Sequence, residues 1–247
     1  MPSALVGETH IPRDFKRYAR QYSFLEIDCD PGTVPGKSRL QSCRALAPEG
    51  FVFSLVLPSS LASLESGEGV EHVWKGAKSA AQILRPRWWV VRTPASVRPT
   101  RKAREDLASL FERLRAPDVR IAWEPHGLWE DAAASETAVA LGAHLVQDIA
   151  QQVPVPAPVL YARILAFGRG ARVGLGLAER VAERLRDFSE AFVAVEGQGA
   201  GTIARALGVA VESDASESTE LESDELESDE FEPEESDVEP DAENEEA

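Results

Sequence analysis

A carboxylate, an imidazole and an indole follow one predicted strand of this 247-residue chain. The run 119–123 is apolar and strand-like, and Glu124, His126 and Trp129 come directly after it. A carboxylate at the rim of a low-dielectric interior has a raised pKa, whereas a neighbouring arginine lowers it. Opposed environments of this kind let one acid donate a proton and another accept it. The segment therefore indicates a place where proton transfer could occur.

Charged residues also end several other strand-like runs. In a barrel of parallel strands these ends meet at one opening, so residues distant in sequence converge there. We expect Glu26 and Glu124 to act as catalytic acid and base. Arginine presents fixed paired donors to phosphate or carboxylate, so the arginines at strand ends are expected to grip an anionic group. The predicted substrate-binding residues are Arg92, His126, Trp129, Asp148, Arg163 and Glu196.

Each of these residues also has a purely structural interpretation. The strand-end charges could form a network of salt bridges that only compensates buried charge. Trp129 could stack on a sugar or a nucleobase, or it could cover the rim with its indole N–H paired. Glu124, His126, Asp148 and Glu196 are ligand types that suit a divalent metal. Because only one histidine is involved and no short ligand motif such as HExxH occurs, neither a metal nor a cofactor is predicted.

Two glycine-rich turns follow the last two predicted strands. One spans 168–174, and the other contains Gly197, Gly199 and Gly201 before a predicted helix over 202–207. Backbone N–H groups at a helix start favour negative charge, so these three glycines form a predicted phosphate-binding turn. Tight turns also need glycine for unusual backbone angles. The absence of a Walker-type lysine and of a Gly-x-Ser-x-Gly elbow argues against nucleotide triphosphate hydrolysis and against a serine nucleophile.

Eight strand-like runs alternate with segments of helical period. Leu107, Leu110, Phe111 and Leu114 recur at the spacing of one buried helical stripe, and 70–81 and 177–188 repeat the pattern. This alternation predicts an α/β fold whose parallel sheet closes into a TIM-type (β/α) barrel, although an open doubly wound sheet would use similar pieces. The predicted strands are 4–6, 24–27, 51–57, 88–91, 119–123, 144–146, 159–165 and 191–195.

The formal charge of −16 is concentrated at one end of the chain. Residues 212–247 contain 19 of the 42 acids and no lysine or arginine, which leaves 42 − 19 = 23 acids against 26 bases before them. The sequence therefore predicts one barrel domain over 1–211 and a disordered, acidic, low-complexity tail over 212–247. The tail is expected to engage a basic protein partner or to serve solubility.

Cysteine usage and hydropathy limit the class of protein further. Cys29 and Cys43 lack a CxxC spacing or a histidine-rich neighbourhood, so we expect free thiols rather than a disulfide framework or a metal finger. No run approaches the roughly 20 apolar residues that span a bilayer, and the start lacks a signal region. A soluble cytoplasmic protein without a membrane partner is expected.

Basic residues between 75 and 186 raise the question of nucleic acid. Trp88 and Trp89 lie among them, and aromatic side chains can stack on bases. The helical spacing places most of the arginines and lysines on solvated faces, however. The acidic tail would repel phosphate backbones or occupy the basic surface itself as a mimic. Nucleic acid is therefore not a predicted partner, whereas a small anionic or sugar-like ligand is.

Five landmarks in a fixed order resemble the YecE-like family, also called domain of unknown function 72. They are the segments 24–28, 48–53, 91–96, 123–129 and 161–163, and the resemblance covers 17–207. The resemblance implies a TIM-type barrel without an established activity. The family usually has arginine where His126 stands, a histidine where Leu165 or Ala166 stands, and an asparagine-rich segment where Glu196 begins. A catalytic centre of the family could thus be altered or lost here.

Two classes of function stay open from the sequence. The first is a barrel hydrolase, lyase or isomerase that acts on a small anionic or sugar-like substrate, with Glu26 and Glu124 in proton transfer. The second is a non-catalytic barrel that binds a metabolite or a protein. The first requires the strand-end groups to lie within reach of one ligand, whereas the second is favoured if the acids are paired off.

Overall fold

The computed structural model describes residues 3–64, 67, 69–165, 173–197 and 199–209. All of them belong to one unit, Met1–Glu212. The predicted acidic tail over 212–247 lies outside the described residues, as does most of the glycine-rich turn at 168–174. Within the described ranges no helix has both the length and the apolar character needed to cross a bilayer.

Eight parallel strands of the described chain form one sheet, in the order β1-β8-β7-β6-β5-β4-β3-β2. From β2 to β8, strands that follow one another in sequence are neighbours, and β1 pairs with β8, whereas a doubly wound sheet reverses its order in the middle. The predicted TIM-type barrel is therefore confirmed. The strands are β1 (Ser3–Glu8), β2 (Phe24–Asp28), β3 (Val52–Val56), β4 (Trp88–Thr93), β5 (Arg120–Pro125), β6 (His144–Gln147), β7 (Val159–Ile164) and β8 (Glu190–Val195).

Helices of the described chain follow each strand except β6. The predicted stripe on α5 is buried, and the Thr100 hydroxyl caps its start by accepting from the N–H of Ala103 at 3.1 Å. The predicted helix at 202–207 begins two residues earlier, at Ala200. The helices are α1 (Phe15–Gln21), α2 (Lys37–Leu46), α3 (Ser59–Ala62), α4 (Val70–Leu84), α5 (Arg101–Leu114), α6 (Asp131–Ala140), α7 (Leu175–Arg184) and α8 (Ala200–Ala206).

The two ends of the sheet, β1 and β2, meet through one tyrosine. The hydroxyl of Tyr18 accepts from the N–H of Glu8 at 2.8 Å and donates to the carbonyl of Phe24 at 2.7 Å. Gly7 makes this approach possible, because a Cβ at that position would lie 2.0 Å from the Phe24 carbonyl oxygen. The sheet is therefore nearly closed, with a side chain bridging the last gap.

Aromatic side chains fill the interior of the barrel. Phe24, Trp88, Tyr161 and Phe192 are fully buried there and pack mostly edge to face, with ring centroids 5.1–6.4 Å apart. A filled interior leaves no channel along the axis, so ligands can reach the barrel only at its two ends. We call the C-terminal ends of the strands the mouth.

Cys29 at the end of β2 should resist thiol reagents. Burial raises the pKa of its thiol from 9.0 to about 12, and the charges of Asp28 and Asp30 add to the shift. Above pH 9 the unfolded thiol ionises while the folded one stays neutral, so stability should fall as the pH rises toward 12. Urea unfolding should show a shallower decrease for Cys29→Ala over this range. Rapid alkylation of Cys29 in the folded protein at pH 8 would contradict the assignment.

Candidate functional site

Four predicted residues from different strands form one network at the mouth. The Nε of Arg163 donates to Oε1 of Glu26 at 3.0 Å, and its Nη1 donates to Oε2 of Glu124 at 2.7 Å. Arg92 lies beside Glu124 in the register of β4 and β5, and its Nε donates to the same Oε2 at 2.8 Å. Parallel strands therefore bring together side chains that are up to 137 positions apart in sequence.

The inner half of this network is shielded from solvent. Glu26 is 0 % exposed, and its Oε2 accepts from the hydroxyl of Tyr161 at 2.7 Å. Burial and the charge of Glu26 raise the pKa of Tyr161 well above its usual range, so the phenol keeps its proton. That proton goes to Glu26, so Ser54 must donate in its 2.7 Å bond to Tyr161. Both oxygens of Glu26 are thus occupied, and this carboxylate positions Arg163 rather than facing a ligand.

Arg163 stays cationic in this surrounding. Burial alone lowers its pKa, but the charges of Glu26 and Glu124 raise the pKa above its usual value. A permanent cation between two carboxylates fixes the orientation of both. The rotamer of Glu124, which faces the mouth, is therefore set by a buried partner.

The outer half of the network is accessible. The side chain of Glu124 is 13 % exposed, that of Arg92 37 % and that of His126 42 %. The second oxygen of Glu124, Oε1, lies 3.7 Å from Nε2 of His126, which is beyond a direct hydrogen bond. The described residues offer no partner to the two terminal nitrogens of Arg92. A ligand at the mouth could therefore meet one carboxylate oxygen, one imidazole and one guanidinium edge.

The loop after β5 is held against β4. The N–H of His126 donates to the carbonyl of Thr93 at 3.0 Å, and Nε1 of Trp123 donates to the Thr93 hydroxyl at 3.1 Å. Gly127 has a φ of +87°, and a Cβ there would lie 2.7 Å from the Cα of Ala95. Only glycine satisfies both conditions, so the position of His126 depends on it.

Trp129 packs within the loop instead of facing the mouth. Its ring is buried and meets Trp123 edge to face at 4.8 Å, while Nε1 donates to the carbonyl of Val97 at 2.8 Å. Arg104 lies over the other side at 5.7 Å. These contacts correspond to the structural interpretation of Trp129, in which the indole covers the rim with its N–H paired.

Asp148 and Glu196 lie away from this network. Oδ1 of Asp148 accepts from the N–H of Ala150 at 3.0 Å, and Oδ2 accepts from the amide of Gln151 at 2.7 Å, so both oxygens serve their own loop. Glu196 is exposed and lines a separate depression of about 490 Å³, together with His10 and Asp28. Sequence reasoning missed His10 and Asp28. Asp28 directly follows the predicted strand 24–27, whereas His10 lies four residues beyond the predicted strand 4–6.

Close packing explains the glycines after β8. Gly197 has a φ of +77°, and a Cβ on Gly199 would lie 2.3 Å from a methyl group of Val173. A Cβ on Gly201 would lie 3.0 Å from the hydroxyl of Tyr22. These contacts account for small residues without a phosphate, and the following helix has only seven residues. Nor do any three His, Cys, Asp or Glu side chains of the described ranges gather as metal ligands would.

Gly127→Ala is expected to displace the loop that carries His126. The added methyl group meets Ala95 and the left-handed backbone resists any Cβ, so we expect a loss of about 2 kcal/mol in unfolding free energy. Urea unfolding measures the loss. Gly36→Ala is the control, because a Cβ there meets open space. Equal stability of the two variants would show that the loop can accommodate the methyl group.

No protein-family model matches the sequence, and no curated protein matches it significantly. Crystal structures of DUF72 family proteins do match the fold. One from Enterococcus faecalis is 15 % identical, with a TM-score of 0.65 over 85 % of this chain and 96 % of that chain. One from Thermotoga maritima is 19 % identical, with a TM-score of 0.61 over 84 % of this chain and 97 % of that chain. The chain therefore has the barrel fold of DUF72 family proteins, the family that its ordered landmarks resemble.

Proposed function

We propose that the mouth binds a small anionic, sugar-like metabolite through Arg92 and His126, with Glu124 as the acid–base group. One observation supports this function above all. Glu124 shares one oxygen between two arginines, while its other oxygen faces the accessible His126 at 3.7 Å. A gap of that size between two polar groups at a partly open rim suits a ligand hydroxyl that bridges them.

Each group would have a distinct role toward such a ligand. The free edge of Arg92 presents two donors to a carboxylate or phosphate group. Oε1 of Glu124 can take a proton from a ligand hydroxyl or from an activated carbon, and His126 can return one to a neighbouring oxygen. Glu26 and Arg163 act as positioning residues because they hold Glu124 in place without touching the ligand. The corresponding reaction class is proton transfer, as in an isomerase or a lyase.

The separate depression beside Glu196 would bind a polyol independently of the network at Glu124. Its volume of about 490 Å³ lies in the range of roughly 300–1,000 Å³ that small-molecule sites occupy. Asp28 and Glu196 offer carboxylate oxygens that accept from hydroxyl groups, and His10 lies with them. Because strands β1, β2 and β8 end on the same side as β4, β5 and β7, this depression also opens at the mouth.

A second candidate is a barrel that binds the metabolite without converting it. The pairing of the acids favours it, since both oxygens of Glu26 and one of Glu124 are already occupied by protein donors. The oxygen of Glu124 that receives both guanidinium bonds has little capacity left for a ligand. The two candidates share the ligand and differ only in whether a proton moves.

A thermal-shift screen of sugar acids and sugar phosphates tests the binding. We expect a hit that raises the melting temperature of the full-length protein, and Arg92→Met should abolish that rise. Arg101→Met is the matched control, because Arg101 is an exposed arginine that pairs with Glu105 on α5. A rise that persists in Arg92→Met, or that disappears equally in the control, would place the ligand elsewhere.

Proton exchange distinguishes catalysis from binding. The hit is incubated with the protein in D₂O, and incorporation of deuterium is followed by NMR. The enzymatic candidate predicts exchange with the wild type and at least a hundredfold slower exchange with Glu124→Gln, which keeps the shape of the site. Binding without exchange in the wild type would leave the non-catalytic candidate.

A further inference from the structure

The opposite end of the barrel carries a depression of about 1120 Å³ that the proposed function does not use. It lies between the C-terminal ends of α4 and α5 and the first residues of β3, β4 and β5. We call it the N-terminal groove, and Arg85, Arg87, Arg115 and Arg120 mark its walls. Residues at this end of TIM barrels usually serve stability rather than catalysis, so a depression of this size requires its own explanation.

Positive charge dominates the N-terminal groove. Six arginines and one lysine line it, and Asp118 is the single acid among its described lining residues. Arg44, Lys78 and Arg85 are exposed, and no carboxylate of the described chain pairs with them. Three uncompensated cations on one concave surface produce a field that attracts anions.

The other cations of the groove form ion pairs within the protein but can still bind an anion. Glu190 forms an ion pair with Arg87 at 2.8 Å and accepts a hydrogen bond from Arg120 at 2.5 Å, so one carboxylate holds two guanidinium groups. Arg113 and Arg115 pair with exposed glutamates on the helices. Exposed pairs of this kind are weak, and a phosphate can replace the glutamate.

Two residues at the groove have an unusual backbone. Arg85 ends α4 with a φ of +51°, and Asp118 precedes β5 with a φ of +63°. Helices that end in this left-handed conformation usually carry glycine there. Arg85 places a guanidinium group at the edge of the groove despite this disfavoured backbone conformation. Strained backbone of this kind clusters at functional sites.

The floor of the groove is apolar. Phe51, Trp89 and Leu114 lie along it with only narrow exposed edges, each at most 6 % exposed. Arg113 at 4.5 Å and Lys78 at 5.3 Å cover the ring of Trp74, which is 2 % exposed. The indole N–H of Trp74 is buried and has no acceptor within the described ranges. A ligand that suits this surface has several anionic groups for the walls, whereas the floor offers only narrow apolar edges.

We propose that the N-terminal groove binds single-stranded nucleic acid, with its phosphates on the arginines. A phosphodiester chain presents successive phosphates along the groove, and the planar guanidinium groups of arginine bind phosphate through paired donors. The volume also exceeds the range of roughly 300–1,000 Å³ for small-metabolite pockets, which favours a polymer. The acidity of the protein is no obstacle at this site, because residues 1–211 carry 26 bases against 23 acids.

The fold gathers basic residues whose positions in the sequence predicted no common surface. Their helical spacing indicated solvated faces, which is correct for each helix taken alone. The barrel then places the ends of α2, α4 and α5 around the starts of β4 and β5, so residues such as Arg44, Lys78 and Arg115 gather on one surface. Sequence periodicity contains no information on that gathering.

Fluorescence anisotropy with a labelled 20-nucleotide oligo(dT) tests the proposal on the full-length protein at about 50 mM NaCl. The double variant Arg85→Glu and Arg115→Glu should bind at least tenfold more weakly. Its slope of log K against log salt should be shallower by about 1.4, which corresponds to two lost phosphate contacts. The matched control reverses Arg98 and Arg101, two exposed arginines near the start of α5, and should bind within twofold of wild type.

A single variant and a competition experiment complete the test. Lys78→Glu alone, at an exposed helical position, should weaken binding at least threefold even if the double variant folds poorly. Absence of oligo(dT) binding by the wild type, or equal weakening in the control pair, would overturn the proposal. So would competition by a 20-residue poly-glutamate as effective as that by unlabelled oligo(dT), since it would identify an acidic-peptide site.

Discussion

Replacement of Arg163 by methionine should lower the free energy of unfolding by about 3–5 kcal/mol. Arg163 is 6 % exposed and donates to Glu26 and Glu124, so its loss leaves two carboxylates without their common cation. Glu26 suffers most, because it is fully buried and keeps only Tyr161 as a donor. Methionine has a similar length and fills much of the space, so the loss reports charge rather than a cavity.

A double variant isolates this electrostatic cause. Glu26→Gln removes the buried charge, so Glu26→Gln with Arg163→Met should regain at least half of the stability that Arg163→Met loses. Urea unfolding of the two single variants and the double variant completes the cycle. If Arg163→Met costs less than about 1 kcal/mol, or if the double variant is merely the sum of the single ones, the carboxylates do not depend on Arg163.

Gly7→Ala is expected to cost about 3 kcal/mol or more, because it forces β1 and β2 apart. The added Cβ would lie 2.0 Å from the carbonyl oxygen of Phe24 and 2.8 Å from the hydroxyl of Tyr18, and neither backbone nor ring can yield by that distance. Separation of the strands would also break the two bonds of Tyr18 across the gap. The barrel would then open between β1 and β2.

Gly76→Ala provides the matched control for this change. Gly76 lies inside α4, and a Cβ there meets open space, so alanine should stabilise the protein by about 0.5–1 kcal/mol through its helix propensity. The same substitution thus acts in opposite directions at two positions. Equal stability of Gly7→Ala and wild type in urea unfolding would show that the contact between β1 and β2 is not tightly packed.

The strands could be predicted from sequence because their apolar runs are short and their flanks polar. The residues at which the strands begin and end could be predicted less closely. β1 extends from Ser3 to Glu8 although only 4–6 is apolar, because Ser3, Gly7 and Glu8 pair with β8 through backbone groups alone. Helix α6 was not predicted, since it buries the small side chains Ala134, Thr137 and Ala138, which give little hydrophobic periodicity.

The convergence of Glu26, Arg92, Glu124 and Arg163 follows from parallel topology and could be inferred before any coordinates. How deeply each of these side chains is buried could not be inferred from the sequence. Glu26 is sealed inside while Glu124 reaches the rim, and this difference depends on how the strands are staggered around the barrel. For the same reason, no pattern in the sequence indicated that Tyr161 and Ser54 support Glu26 from below.

An anomalous difference map from crystals soaked in selenate tests the mouth most directly, because selenate is a small oxyanion whose position can be observed. We expect a peak within hydrogen-bond distance, about 3 Å, of the terminal nitrogens of Arg92, on the side of His126. The peak should be absent from crystals of Arg92→Met. Selenate bound only at other cations, such as those of the N-terminal groove, with none at Arg92, would contradict an anion site at the mouth.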